Sequence, residues 1–291
     1  MHPIPLTKSL SWHPAPPQSE FLLIAGPCVI ESLDLCLTIG GTLKELAARL
    51  NIPYVFKASF DKANRSSASS YRGFGLEKGL EILSQVREHL NVPVTTDIHE
   101  SDQAHIAAHA VDILQIPAFL CRQTDLLVAA GQTGKPVNIK KGQFMAPWEM
   151  ANAVEKIQST GNDHVILTER GTFFGYNRLV NDFTAIPQMQ ALGGPKNSGP
   201  STQNSGLHTP VLMDATHSTQ LPGGLGHATA GQRQFVPLLA KAATVAGANG
   251  LFIEVHPTPE KSPSDAATIL NLADLPHLLE QCLALRAVLA K

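Results

Sequence analysis

The chain has 291 residues, 43% of them hydrophobic and 16% charged, with a formal net charge of -2. That length and apolar content can bury a full core, either as two ordinary domains or as one large α/β barrel. The near-neutral charge argues against a general nucleic-acid or acidic-membrane surface, so any positive site has to be local.

The first stretch, Met1 to Glu20, reads as an N-terminal extension rich in proline. It has no apolar run, so neither a signal peptide nor a membrane anchor is expected. Its prolines disfavour a regular hairpin. Cys28, Cys36, Cys121 and Cys282 are scattered without a C-x-x-C pair, which points to a reducing compartment and a cytoplasmic protein. From Phe21 to Lys291 short β-rich runs alternate with amphipathic stretches. The strand candidates are Phe21 to Gly26, Tyr54 to Ala58, Val94 to Ile98, Ile113 to Ile116, Val137 to Lys140, Val165 to Thr168, Val211 to Asp214 and Leu251 to Val255. Ser32 to Leu50, Gly75 to Leu90, Trp148 to Ser159 and Arg233 to Ala246 carry apolar residues at helical spacing. Eight such units predict a single-domain (β/α)8 TIM barrel. The alternative, an open doubly wound sheet, lacks a Gly-rich fingerprint after the first strand. Leu192 to Thr209, rich in Gly, Ser, Pro and Asn, reads as a flexible surface insertion before the seventh strand.

A barrel of this kind gathers its chemistry at the carboxyl ends of its strands. Reading each run to its end yields Cys28, Lys57, Asp97, Gln115, Lys140, Arg170, His217 and Glu254, so every unit offers a polar or metal-binding group. Lys57, Lys62, Lys140 and Arg170 form an expected cationic cluster, with Gln115 and Gln143 as neutral donors. Four clustered cations call for an anion. Ser59, Asn64, Arg65 and Ser66 in the polar segment from Lys57 to Ser67 suggest a second anionic or hydroxylated ligand. Cys28, His217, Glu254 and Asp265 would suit a borderline divalent ion such as Zn(II), Fe(II), Mn(II) or Co(II), with His256 as a rival ligand.

Several segments together carry a family resemblance. They are Ile24-Ala25-Gly26-Pro27-Cys28, the Lys57 to Ser67 segment, Asp97-Ile98-His99-Glu100, Gln115-Ile116-Pro117-Ala118-Phe119-Leu120, Asp214-Ala215-Thr216-His217-Ser218 and Glu254-Val255-His256-Pro257. The chain from about Phe21 onward resembles the 3-deoxy-D-manno-octulosonate 8-phosphate synthases. The resemblance implies condensation of phosphoenolpyruvate with D-arabinose 5-phosphate and water, for lipopolysaccharide biosynthesis. It places Lys57, Lys62, Gln115, Lys140, Gln143 and Arg170 on phosphoenolpyruvate, and Asn64, Arg65 and Ser66 on the pentose phosphate. Arg122 resembles an arginine that reaches the pentose phosphate of a neighbouring subunit in a homotetramer. A cysteine at position 28 implies the metal-dependent class, with Cys28, His217, Glu254 and Asp265 as ligands. Lys62, Asp97, Lys140 and His217 are the expected catalytic residues. The sister synthases that use erythrose 4-phosphate carry Lys-Pro-Arg-Thr where this chain has Lys62-Ala63-Asn64-Arg65-Ser66, which favours the pentose here.

Overall fold

The computed structural model describes residues 21–65, 67, 69–193, 209–224 and 229–289. The N-terminal extension, Ser66 and residues 194–208 of the insertion lie outside the described residues. The eight barrel strands are β1 (Leu22–Gly26), β2 (Tyr54–Lys57), β3 (Val94–Asp97), β4 (Ile113–Ile116), β5 (Val137–Lys140), β6 (Val165–Glu169), β7 (Val211–Asp214) and β8 (Gly250–His256). All are parallel, each pairs with the next, and β8 pairs back to β1 from Leu22 opposite Gly250 to Gly26 opposite Glu254, which closes the barrel. The strands sit within a residue of their sequence-predicted bounds.

The helices are α1 (Leu33–Leu50), α2 (Leu76–Leu90), α3 (Gln103–Ala110), α4 (Thr124–Gln132), α5 (Met150–Gln158), α6 (Ala185–Gln190), α7 (Val236–Val245) and α8 (Leu275–Leu289). Local chemistry sets their ends. Ser32 caps α1 by accepting from the Leu35 N–H at 3.1 Å, and Asn51 ends it in the left-handed region at φ 51°. Among the described residues, no helix is long and apolar enough to cross a membrane.

Strand periodicity builds two cores. Leu22, Ile24, Val55, Ile113, Ile166, Leu212 and Phe252 form a plug inside the ring of strands. The alternate positions, including Leu23, Phe56, Leu114, Ile139, Leu167 and Ile253, pack outward with Ile39, Leu43 and Leu83 of the helices. Each large apolar side chain buried this way contributes about 1.5–3 kcal/mol. The plug has a direct consequence for function. Two residues beyond Val55, Ile113, Ile166, Leu212 and Phe252 the chain again points inward, now at the carboxyl end, and there stand Lys57, Gln115, Thr168, Asp214 and Glu254. Closure also needs an inner glycine: a Cβ on Gly26 would lie 2.0 Å from the Lys57 carbonyl oxygen.

Two short antiparallel ladders stand above the carboxyl ends and have no counterpart in the sequence reading. One pairs Thr172–Phe173 with Leu179–Val180, and the other Gln220–Leu221 with Ala230–Gly231. Both belong to loops whose pairing depends on what lies beneath them.

Candidate active site

The carboxyl ends of the strands open on a cavity of 620 Å³. Its cationic wall is built from three strands. Lys57 at the end of β2 donates to the Cys28 carbonyl oxygen at 2.9 Å and to Glu254 Oε1 at 2.5 Å. Lys140 at the end of β5 donates to Asp214 Oδ2 at 2.6 Å, with its ammonium 3.7 Å above the Phe252 ring. Burial draws the Lys140 ammonium below its ordinary range, against the pull of Asp214. Arg170, just beyond β6, donates through Nη2 to Gln220 Oε1 at 2.6 Å, while its buried Nη1 has no partner. Gln115 Oε1 and Gln143 Oε1 are buried without hydrogen bonds as well. A buried donor left open is costly, and here several polar groups line one cavity.

The loop after β2 forms the next wall. Lys62 donates to the buried Ser59 hydroxyl at 3.0 Å and lies 3.8 Å from Glu254 Oε1. Burial opposes its charge, but Cys28, Glu254, Asp97 and Asp265 outweigh that and hold the ammonium well above its usual range. Asn64 is exposed at the cavity mouth. Arg65 donates to Ser264 Oγ at 2.8 Å and to the Pro263 carbonyl at 3.0 Å, tying this loop to the one after β8. Asp97, ending β3, accepts from His99 Nε2 at 3.1 Å. Burial would raise its carboxyl, yet the His99 hydrogen bond and the charges of Lys62 and Lys57 prevail and keep it below the carboxylate range.

The mixed donors lie directly against the lysines. Cys28, Glu254 and Asp265 each offer a ligand atom, all within 4.8 Å of one another. His217 Nε2 lies 3.3 Å from Glu254 Oε2 and 3.7 Å from Asp265 Oδ2. The His217 ring is oriented from behind by Asp214, whose Oδ2 is 2.7 Å from Nδ1, the arrangement common around metal-ligating histidines. Its imidazolium is held well above the ordinary histidine value: burial works against the charge, and Asp214 and Glu254 overcome it. Burial, then Glu254, pushes the Cys28 thiol up. Glu254 Oε2 is buried, with His217 Nε2 beside it at 3.3 Å. A thiol, an imidazole and two carboxylates gathered this closely fit a borderline divalent cation. His256 is turned away: its Nδ1 accepts from the Thr258 N–H at 2.9 Å and its Nε2 faces Glu31 at 3.5 Å. The rival ligand reading of His256 is therefore corrected, because both ring nitrogens are engaged behind the strand end.

The structure thus brings together Cys28, Lys57, Ser59, Lys62, Asn64, Arg65, Asp97, Gln115, Lys140, Gln143, Arg170, His217, Glu254 and Asp265. Arg122 is not among them. It is exposed on a separate groove of 520 Å³ beside α5, its carbonyl accepting from Lys156 at 2.8 Å. Sequence reasoning passed over the roles of Asp214, Gln220 and Ser264. Asp214 sits three residues before His217 and could have been read as its partner; Gln220 and Ser264 are ordinary loop residues with no local signal.

A profile of the DAHP synthetase I family matches residues 17–289. The chain belongs to the DAHP synthetase I family. Within it, the chain is 53% identical over 270 residues to the "2-dehydro-3-deoxyphosphooctonate aldolase" of a Cyanothece species, covering 93% of each chain. It is 53% identical over 266 residues to the protein of the same name from Syntrophotalea carbinolica, covering 91% of each. The Bradyrhizobium diazoefficiens protein of that name is 52% identical over 266 residues, 91% of this chain and 89% of the relative. The DAHP synthetase I match spans all eight βα units, so the whole cavity lies inside it.

Proposed function

We propose that this DAHP synthetase I family member acts as a 2-dehydro-3-deoxyphosphooctonate aldolase. It condenses phosphoenolpyruvate with D-arabinose 5-phosphate and water, giving 3-deoxy-D-manno-octulosonate 8-phosphate and phosphate for lipopolysaccharide biosynthesis. The observation that carries the reading is the convergence of Lys57, Lys62, Lys140 and Arg170 on one cavity, with Arg170 Nη1 open. Such a site is complementary to a small polyanion. The relatives' shared name supplies the substrate class.

In this reading Lys57, Lys140 and Arg170 hold the carboxylate and phosphate of phosphoenolpyruvate, and Gln115 and Gln143 orient it. Asn64, Arg65 and Ser66 receive the pentose phosphate, with Arg122 of a neighbouring subunit in a homotetramer. C3 of the enol attacks the aldehyde, water adds at C2, and phosphate leaves by C–O cleavage. The cationic wall stabilises the charge that moves onto the leaving phosphate. The proton given up by the water that adds at C2 balances the one gained by the aldehyde oxygen as it becomes a hydroxyl; Lys62 supplies a positive charge near the forming alkoxide, and Asp97, kept ionised by His99 and the lysines, accepts a hydrogen bond that orients the water. Cys28, His217, Glu254 and Asp265 would hold a divalent ion, Zn, Fe, Mn or Co, making this the metal-dependent class. When bound, that ion would supply Lewis-acid polarisation and orientation to the aldehyde or water. The protein operates in the cytoplasm.

The test is phosphate release from phosphoenolpyruvate with arabinose 5-phosphate against erythrose 4-phosphate, on chelator-stripped protein before and after adding Mn(II) or Zn(II). Pentose-dependent release that vanishes on stripping and returns with metal is the expected outcome. A preference for erythrose 4-phosphate would sink the substrate assignment, and full activity after stripping would remove the metal.

A further inference from the structure

Gln220 stands between the two halves of the cavity. Its Oε1 accepts from Arg170 Nη2 at 2.6 Å, and its Nε2 donates to Asp265 Oδ1 at 3.1 Å. A neutral amide offers an acceptor to a cation and a donor to an anion from one planar group. Turning the amide over would set N–H against N–H and oxygen against oxygen. The backbone beneath is firmly mounted. The Gln220 N–H bonds to the His217 carbonyl, closing the turn that carries His217, and Gln220 pairs with Gly231 in the short ladder above the barrel.

Each hydrogen bond selects which atom its partner presents. With Nη2 occupied, Arg170 is left with Nη1 open, buried and without a partner. With Oδ1 occupied, Asp265 turns Oδ2 toward Cys28 Sγ at 3.4 Å and His217 Nε2 at 3.7 Å. Asp265 itself lies in the left-handed region at φ 51°, so its backbone is held in one conformation by its loop and its side chain by Gln220.

We propose that Gln220 is a positioning residue that orients Arg170 toward the phosphoenolpyruvate anion and Asp265 toward the Cys28–His217–Glu254 donors, coupling the two. The inference rests on the functional reading above and deepens it. Gln220 acts through its two neighbours, so its loss has to appear in two unrelated binding events at once.

The experiment is Gln220→Met, which keeps length and removes both polar ends. Two quantities are read: the Kd of phosphoenolpyruvate on chelator-stripped protein by calorimetry, and Co(II) affinity by titration of the Cys28 thiolate-to-metal absorption. Each weakens by about tenfold or more, the worth of a charge-assisted hydrogen bond, while the KM for arabinose 5-phosphate stays within about twofold. The melting temperature falls by only about 2–4 °C, as two charged groups lose one hydrogen bond each. Gln220→Asn, polar but one methylene short of spanning both partners, gives the same paired loss and replaces the methionine variant if that one folds poorly. Unchanged phosphoenolpyruvate and Co(II) binding overturns the inference, as does a loss shared equally by arabinose 5-phosphate and matched by a larger fall in melting temperature. A wild-type protein that binds no phosphoenolpyruvate overturns the functional reading and this inference together, and is told apart because it shows before any substitution.

Discussion

Asp97 is set by opposing influences: burial disfavours its charge, while His99 and two lysines favour it and win. A carboxyl depressed in the folded state contributes stability that is whole above its unfolded pKa, near 4, and is lost as pH falls toward the folded value. Asp97→Asn therefore lowers stability at pH 7 by on the order of 2 kcal/mol, and the gap to wild type closes as the pH drops below about 4. Urea unfolding of both proteins at pH 7 and pH 3.5 checks this, and a gap that widens in acid would contradict it. The cysteines show a plainer pattern. All four are buried and unpaired, and burial pushes the Cys36 thiol up to about 12, which makes it an inert core residue. Cys28 differs by its neighbours, since Glu254 and Asp265 surround it.

A strand places neighbouring residues on opposite faces, and β5 shows how much that matters. Lys140 and Lys141 are adjacent and chemically identical, yet only Lys140 reaches the cavity. Lys141 is fully buried behind the strand end, 3.6 Å from Glu169 Oε1 and 3.1 Å from Thr172 Oγ1, so it holds the loop after β6 to the barrel. Lys141→Met leaves the Glu169 charge without its cation and costs about 3 kcal/mol of stability, while the KM for phosphoenolpyruvate stays within about twofold. Lys140→Met raises that KM by about tenfold or more, through loss of a charged contact. Both variants break a buried ion pair, so steady-state kinetics, which gives the phosphoenolpyruvate KM of each, separates the roles. The reverse assignment would show as a Lys141 variant defective in phosphoenolpyruvate binding.

Across the whole molecule, the barrel supplies a complete cationic wall and a complete donor set from one chain, but leaves Arg122 on an outer groove. If Arg122 serves a neighbouring subunit, Arg122→Ala raises the KM for arabinose 5-phosphate and spares that for phosphoenolpyruvate. Mixing it with Lys62→Met subunits, whose own sites are dead but whose Arg122 is intact, restores pentose affinity at the Arg122→Ala sites after subunit exchange. Additive behaviour of the mixture, with no recovery at low pentose concentration, would assign Arg122 to no shared site.

Alternation of short β-branched runs with amphipathic stretches was enough to place all eight strands within a residue, because strand period and helix period are local properties of the chain. The strand-end rule picks out Lys57, Gln115 and Glu254, where an apolar plug residue two positions earlier fixes which side faces inward, and Asp97 and Lys140, where the inward residue two positions earlier is Thr95 or Asn138. Three things were beyond local pattern. Gln220 and Ser264 act through partners 45 to 236 residues away, and although each lies close in sequence to an expected ligand, His217 or Asp265, nothing in the chain pairs it with Arg170, Arg65 or Cys28. His256, with the right chemistry and spacing to be a ligand, was excluded only when the strand turned it toward Glu31. The side on which a loop residue lands, and which atom of a carboxylate or guanidinium stays open, are settled by contacts made after the barrel closes.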